Sequence, residues 1–538
     1  MELKNIFRIS LVAASVSLAA CGGDINITPT VNDNSTVDNS VGDNSNNVTN
    51  NNAPEQDVEV VCASYESDVG TVEGIQAGDD CLYNDSFASK NISITSNITF
   101  EELPNGGVHV FDFALQIGAD GDTTTGFEVP ENGPTMTVKP GATLAFKSGE
   151  AIIRIARGAK IQANGTFDKP ITFTSANAFP RLDTEGTGPL YADWGGIIIN
   201  GNGITDQCTD AERAAATCNV ASEGITSYFG GNDNTDSSGS ISYAKIWYAG
   251  SGPRTGGEGD DLNSLTLNAV GSGSSFEFLH VHQGFDDGIE IFGGASTLSN
   301  IVVTDTQDDS FDFDAGWQGS AEFLFVQHGT VTLADGTIAN MGNGGFETDG
   351  RKGTTSAEAP VTNPTIANVT VITTDAESVR DSDPSTAFKF DDEIKSNYHN
   401  VLIVKETGAN TQCIRHSSDG EKEADEITFE GSVMACAAEF VGEATFMSGS
   451  EPAELTGTAK TEWFDRGGLN QRVAADADVL AADGFSTNST STAITIDPSA
   501  TAATAGVGAN YIGAVSDATA GSVWYQWVEA AVAAAAQD

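Results

Sequence analysis

Between Leu279 and Phe313 one unit is written twice, 22 residues apart. Leu279-His280-Val281-His282 runs into Asp286-Asp287-Gly288-Ile289-Glu290-Ile291. Ile301-Val302-Val303-Thr304 then runs into Asp308-Asp309-Ser310-Phe311-Asp312-Phe313. Each unit is two short alternating strands joined by a turn that carries two aspartates. A repeat of about 20–30 residues made of short strands is the signature of a solenoid, in which each unit is buried by its neighbours. The expected fold is all-β: a right-handed, single-stranded parallel β-helix, its hand following the general rule for crossovers.

The rest of the chain divides around this body. Lys4 and Arg8 precede a short apolar run, Ile9–Ala20, which is too short to span a bilayer and reads as a signal segment. Residues 1–20 are therefore expected to be a signal peptide. Residues 21–58, rich in Asn, Asp, Ser and Thr, cannot bury a core and are expected to form a tether. Residues 59–136 show irregular strands and are expected to cap the open end of the solenoid. The β-helix is expected over 137–464. Residues 465–538 form an Ala-, Thr- and Gly-rich segment ending in Trp524-Tyr525-Gln526-Trp527-Val528, a good helix former expected to cap the other end.

Charge narrows the partners. Lys and Arg total 24 against 76 Asp and Glu, a net charge of −52. Such a chain has no general affinity for nucleic acid or anionic lipid; it suits cations, basic partners or salty surroundings. Of the seven cysteines, Cys21 follows Leu18-Ala19-Ala20, and the other six form an even set in an exported chain, which suggests disulfides. Many pairings are open. The nearest-neighbour set, Cys62–Cys81, Cys208–Cys218 and Cys413–Cys436, closes only short loops. No CxxC spacing supports a zinc or redox site.

Several strings resemble known bacterial proteins. Leu18-Ala19-Ala20-Cys21 is similar to the lipobox of bacterial lipoproteins. That resemblance implies a lipidated Cys21 carrying acyl chains such as palmitate, and, with Gly22 after it, sorting to the outer membrane. Val138-Lys139-Pro140-Gly141, Ala159–Thr166, Lys169–Thr174, Asp193-Trp194-Gly195-Gly196, Tyr228–Asp233, Gly284–Gly294 and Asn343–Asp349 resemble a group of bacterial cell-surface β-helix lipoproteins, many of them mislabelled multidrug transporters. The resemblance covers roughly Thr137–Val404. It implies a fold and a cell-surface setting, and no catalytic residue. At the level of fold the chain also resembles pectate-lyase-like β-helices, which place Ca²⁺-binding acids and an Arg or Lys base on one outward sheet.

Alternation along the strands picks out the unusual chemistry. Ile289 and Ile291 must face the core, so Glu290 points outward, as do Asp312 and Glu347 in the matching strands. Asp314, Asp349 and Asp391 follow two residues later on the same face. Coils stack about 4.8 Å apart, so these carboxylates repel unless a cation, a proton or a basic neighbour intervenes. Ca²⁺ is the cation that suits such oxygen ligands. A solvated face and a catalytic groove are the other readings. Lys389 and Arg415 continue the same column and would supply the base if it were a groove. Asp286, Asp287, Asp308 and Asp309 form a second Ca²⁺ candidate group, though aspartates at turns commonly bond their own backbone. His280 and His282, an i, i+2 pair, could ligate a transition metal but have no evident third ligand. Val302 and Phe325 continue that outward column, so a loop or partner is expected to cover it.

Two functions follow as expectations. One is a lipid-anchored surface protein with a structural or binding role, its partners the membrane, extracellular polysaccharide or other surface proteins. The other is a Ca²⁺-dependent polysaccharide lyase or related glycan-acting enzyme. Anchoring is checked directly: Cys21→Ala should move the protein from the membrane to the soluble fraction, and a variant that stays membrane-bound contradicts lipidation there.

Overall fold

The computed structural model describes residues 60–537, apart from 253–260, 352–358, 381–384, 392–393, 409–411, 417–421, 424–426, 438–439, 442–444, 449–450, 455–456, 467 and 499–505. The signal segment, Cys21 and the tether lie outside the described residues.

The described chain is a parallel β-helix. Its second strands stack in parallel from Ile153–Ile155 through Ile197–Asn200, Leu265–Asn268, Ile289–Phe292, Asp309–Asp314, Gly344–Thr348 and Thr386–Phe390 to Ile414–His416. Ile289 lies beside Phe311 and Ile291 beside Phe313, the register required by the 22-residue repeat. The first strands Ser275–His282, Thr297–Thr304, Ser320–Gln327 and Thr365–Thr373 pair residue for residue in the same way.

Inward side chains stack on their counterparts. Phe346 lies between Phe311 and Phe388, with ring centroids 5.0 and 4.8 Å away and the planes nearly parallel. All three rings are fully buried. Offset stacking of this kind adds to the hydrophobic burial of each ring.

The first strands bend at one stacked position. Tyr243, Phe278, Asn300, Phe323, Asn368 and Asn400 all have left-handed φ, between 46° and 59°. Asn adopts this conformation at low cost, whereas for Tyr and Phe it is strained and must be held by packing. Tyr243 and Phe278 hold each other, stacked with centroids 4.4 Å apart, and the Trp527 ring stands edge-on to Tyr243 at 5.7 Å. Asn368 Nδ2 donates to the carbonyls of Tyr511 and Gly513 at 2.6 and 3.0 Å, and its Oδ1 accepts from Ala509 N at 2.6 Å. The corner therefore docks the C-terminal segment.

That docking corrects the expected position of the C-terminal helix. Val523–Ala535 packs along the flank of the first strands rather than over the end of the stack. Trp524, Trp527, Val528 and Ala531 form one buried cluster with Val302, Phe325 and Ile372. The apolar outward column needs cover, and the helix's aromatic face supplies it.

The ends of the body also differ from expectation. At the N-terminal end Ser64–Ser67 pairs antiparallel with Gly70–Glu73 and Ile75–Ala77 with Asp80–Tyr83, and short antiparallel pairs recur at Val220–Ala221, Thr330–Thr332 and Thr445–Ser448. Parallel coils begin already at Asp80–Tyr83 against His109–Phe111, inside the segment read as a cap. They continue past 464, where Val433–Ala435 pairs with Gln471–Val473. The three disulfides are Cys62–Cys81, Cys208–Cys218 and Cys413–Cys436. Each closes a short loop, with Cα atoms 5.4, 5.6 and 6.5 Å apart.

The stacked rings carry a prediction. Phe346→Ala should cost about 3–5 kcal/mol, because the coils on either side cannot collapse into the space. Chemical denaturation measures it, and a loss below about 1 kcal/mol would show that the ring stack is not part of the stabilising core.

Candidate cation-binding site

The outward column is continuous. Glu290, Asp312, Glu347, Lys389 and Arg415 are neighbours in successive coils, in strict register despite the loops of unequal length between them. Phe292 lies beside Asp314 in the column two residues on. Asp349 and Asp391 extend it beyond the strand ends, their amides donating to Phe313 and Thr348 carbonyls at 2.8 and 3.0 Å.

The face is buried at one end and opens toward solvent at Glu347, Asp349, Asp391 and Arg415. Glu290 is 4 % exposed, Asp312 8 % and Asp314 fully buried, so side chains that point away from the core lie beneath other parts of the chain. Asn263, in the segment entering Leu265–Asn268, shows how. Its Nδ2 donates to Glu290 Oε2, and its Oδ1 accepts from Asp287 N at 3.0 Å. Arg415, further along the column, is exposed.

The turn acids do not cap their own turns. Asp287 Oδ1 accepts from Asp309 N of the next coil at 3.0 Å, and Asp308 Oδ1 accepts from Asn343 Nδ2 at 3.0 Å. Asp286 and Asp308 converge on Arg380, at 2.8 and 2.6 Å, and the same guanidinium reaches Asp261 at 3.3 Å. Asp309 pairs with Lys389 Nζ at 2.9 Å, and Glu347 lies 3.7 Å from the same ammonium. Among the described residues two sets of acids are close enough to share one ion. They are Asp286, Asp287 and Asp308, and Asp287, Glu290 and Asp312, each offering oxygens within 4.8 Å of one another.

Burial sets the protonation. It raises the Asp286 carboxyl to about 8, with Arg380 pulling down and Asp308 pushing up. Asp287 is raised well above the usual range by burial and then by Asp286, Asp312, Asp309 and Asp308. Asp309 and Asp349 are likewise raised well above it by burial first, and Asp308 is raised by burial against the pull of Lys389 and Arg380. Burial works against the Lys389 charge, but Asp309 and Glu347 outweigh it and hold the proton more tightly than usual. Lys389 in this setting is a fixed cation and not a proton acceptor.

The ring nitrogens of the histidine pair are engaged by neighbouring side chains. His280 Nε2 and His282 Nδ1 both meet Thr304 Oγ1, at 3.0 and 2.8 Å, and Trp247 Nε1 donates to His280 Nδ1 at 3.2 Å. Both rings are buried, and burial holds His280 well below its usual range. Their nitrogens serve a hydrogen-bond network beneath the flank. Arg380, Asp261 and Asn263 come from segments outside the repeat, where no period marks them.

The raised carboxyls predict an unusual pH response. Between the ordinary Asp value near about 4 and the raised folded values, the native state holds protons that the unfolded chain has released. That contribution is complete below the unfolded value and is lost as pH rises through the folded one. For Asp286 the window runs up to about 8. In chelator, the melting temperature should be higher at pH 5 than at pH 8, and Asp286→Asn should reduce the difference. A melting temperature that rises over this interval would contradict the assignment.

Comparison with known families agrees with this architecture. Residues 119–465 match the model of the pectate-lyase-like β-helix domain. No curated protein and no solved structure matches the chain. With that match spanning most of its length, the chain belongs to the pectate-lyase-like β-helix domain family.

Proposed function

We propose that this protein is a lipid-anchored binding protein of the outer-membrane surface whose second sheet binds Ca²⁺ and presents the β-helix to extracellular polysaccharide or neighbouring surface proteins. The observation that carries the reading is the buried carboxylate set of Asp287, Glu290 and Asp312, with oxygens within 4.8 Å of one another. Hard oxygen donors at this spacing suit Ca²⁺, which accepts irregular geometry better than Mg²⁺ does. Arg380 and Lys389 neutralise the flanks, at Asp261, Asp286 and Asp308 on one side and at Asp309 and Glu347 on the other. The central set is where a further cation relieves most repulsion, with Asp314, Asp349 and Asp391 adding to the negative field from one side.

The anchor rests on Leu18-Ala19-Ala20-Cys21 and on the tether after it. Acyl chains on Cys21 would hold the body at the membrane, and residues 21–58 would set it away from the lipid. Fold alone does not decide between binding and catalysis. The lyase reading draws on the acid-then-base column, yet Lys389 is 7 % exposed and ion-paired, which favours binding over proton abstraction.

Ca²⁺ bound only to the native face would stabilise by about 2.7 kcal/mol at a hundredfold excess over its dissociation constant. Chelator should therefore lower the melting temperature at pH 8, and Ca²⁺ should restore it better than Mg²⁺. Glu290→Gln with Asp312→Asn should remove the response to Ca²⁺ while leaving a folded β-helix by circular dichroism. Indifference to chelator at low ionic strength, or equal rescue by Na⁺ at matched ionic strength, would overturn the Ca²⁺ assignment. Release of unsaturated product from uronate polymers would favour the lyase instead.

A further inference from the structure

Lys389 and Asp309 meet across the coil that lies between them. Asp309 pairs in register with Gly344, and Gly344 with Thr386 on the strand that carries Lys389. The lysine side chain reaches back past Gly344, and its Nζ stands 2.9 Å from Asp309 Oδ2. Only glycine leaves room for this meeting. A Cβ at Gly344 would lie 3.0 Å from Lys389 Cε and 3.2 Å from Asp309 Cγ, and would overlap Asp309 Oδ1. Glu347, on the same intervening strand, brings a second carboxylate to 3.7 Å from Nζ.

The pair is shut off from water. The Lys389 side chain is 9 % exposed and that of Asp309 1 %. Asp309 Oδ1 is buried and meets no hydrogen-bond donor among the described residues. The Glu347 side chain is 34 % exposed, so the third group opens toward solvent. An amine and a carboxyl are thus held in contact in a dry place, with a proton carrier beside them. Keeping both charges there is costly, since desolvation offsets much of their attraction. Condensation to an amide turns such a pair into an uncharged product and needs no further reagent.

We propose that Lys389 and Asp309 condense into an isopeptide bond, with Glu347 as the catalytic proton carrier. One ammonium proton passes to Glu347, and the freed lone pair on Nζ attacks Asp309 Cγ. The new C–N bond forms, a Cγ–O bond breaks, and the departing oxygen takes two of the three Nζ protons, one of them by way of Glu347. The products are one amide and one water, and nothing is oxidised or reduced. Lys389 need not act as a base, because a carboxylate that holds its proton is also placed to receive it. The fold supplies the contact that free side chains would have to find by collision. The partial exposure of Glu347 gives the water a way out.

The link would join residues 80 apart in sequence and clamp three successive coils across the insertion that carries Arg380. One positive and one negative charge disappear together, so the field at Asp287, Glu290 and Asp312 keeps its net charge. The link therefore does not depend on Ca²⁺ binding.

Mass spectrometry of the detergent-extracted full chain, reduced and digested with trypsin, tests the proposal. Segments 255–351 and 381–395 should be recovered as one branched species, lighter than their sum by one water, because a linked Lys389 is no longer a cleavage site. Lys389→Arg keeps the positive charge but should give the segments separately. In freshly synthesised chain, Glu347→Gln should slow appearance of the branched species by about a hundredfold, the lower end of what positioned proton transfer contributes. Chelator should leave the linked fraction unchanged, which separates this result from the Ca²⁺ assignment. The wild-type digest needs no variant, so misfolding of either one cannot obscure it. Wild-type segments recovered separately at full mass, a link from Lys389 to a different carboxylate, or a rate unchanged by Glu347→Gln would overturn the proposal.

Discussion

A parallel β-helix places every side chain about 4.8 Å from its counterpart in the next coil. Whatever the sequence repeats is therefore stacked upon itself. For apolar residues this is favourable, and the Phe311, Phe346 and Phe388 stack shows it. For carboxylates it is not, and the arrangement of the second sheet follows from managing that repulsion. Arg380 joins Asp261, Asp286 and Asp308, and Lys389 joins Asp309 and Glu347. Protonation answers part of what remains, since Asp286 and Asp287 are held far above their ordinary range. A divalent cation at the central set, as proposed, would answer the rest.

The same stacking rule gives the first sheet its character. Its outward side is divided by the left-handed corner at Phe278, Asn300, Phe323 and Asn368. On one side of the corner the outward positions include Val302, Phe325 and Ile372, which the C-terminal helix covers. On the other they carry hydroxyl and amide side chains beside a column with the carboxylates of Glu277 and Glu322. One chain thus carries three different outward surfaces, each written by a different residue class at a fixed place in the repeat.

The repeat made the body legible because register in a β-helix follows directly from period. The 22-residue offset placed Glu290 beside Asp312, and the later outward acids and bases fell into the same column. Alternation showed which side chains leave the core, but outward is not the same as exposed. The depth of Glu290 and Asp314 depends on other segments, such as the one carrying Asn263, whose paths have no period. Arg380 was invisible for the same reason: it reaches the turn acids from an insertion between strands. The apolar column at Val302 and Phe325 announced a cover, yet nothing in the residues themselves said that the helix at Val523–Ala535 would supply it. The first coils carry no visible period because their strands, Asp80–Tyr83, Ser93–Ile94, Ile98–Phe100 and His109–Phe111, are only two to four residues long.

Closely stacked acids that hold protons in the native state should exchange them for a bound cation. Calorimetric titration of the full chain with Ca²⁺ at pH 7, run in two buffers of different ionisation enthalpy, tests it most directly, because displacement of protons appears as a buffer-dependent heat. Saturable binding with net proton release, reduced by Asp312→Asn, is the expected result. Absence of binding heat, or binding with no dependence on the buffer, would contradict it.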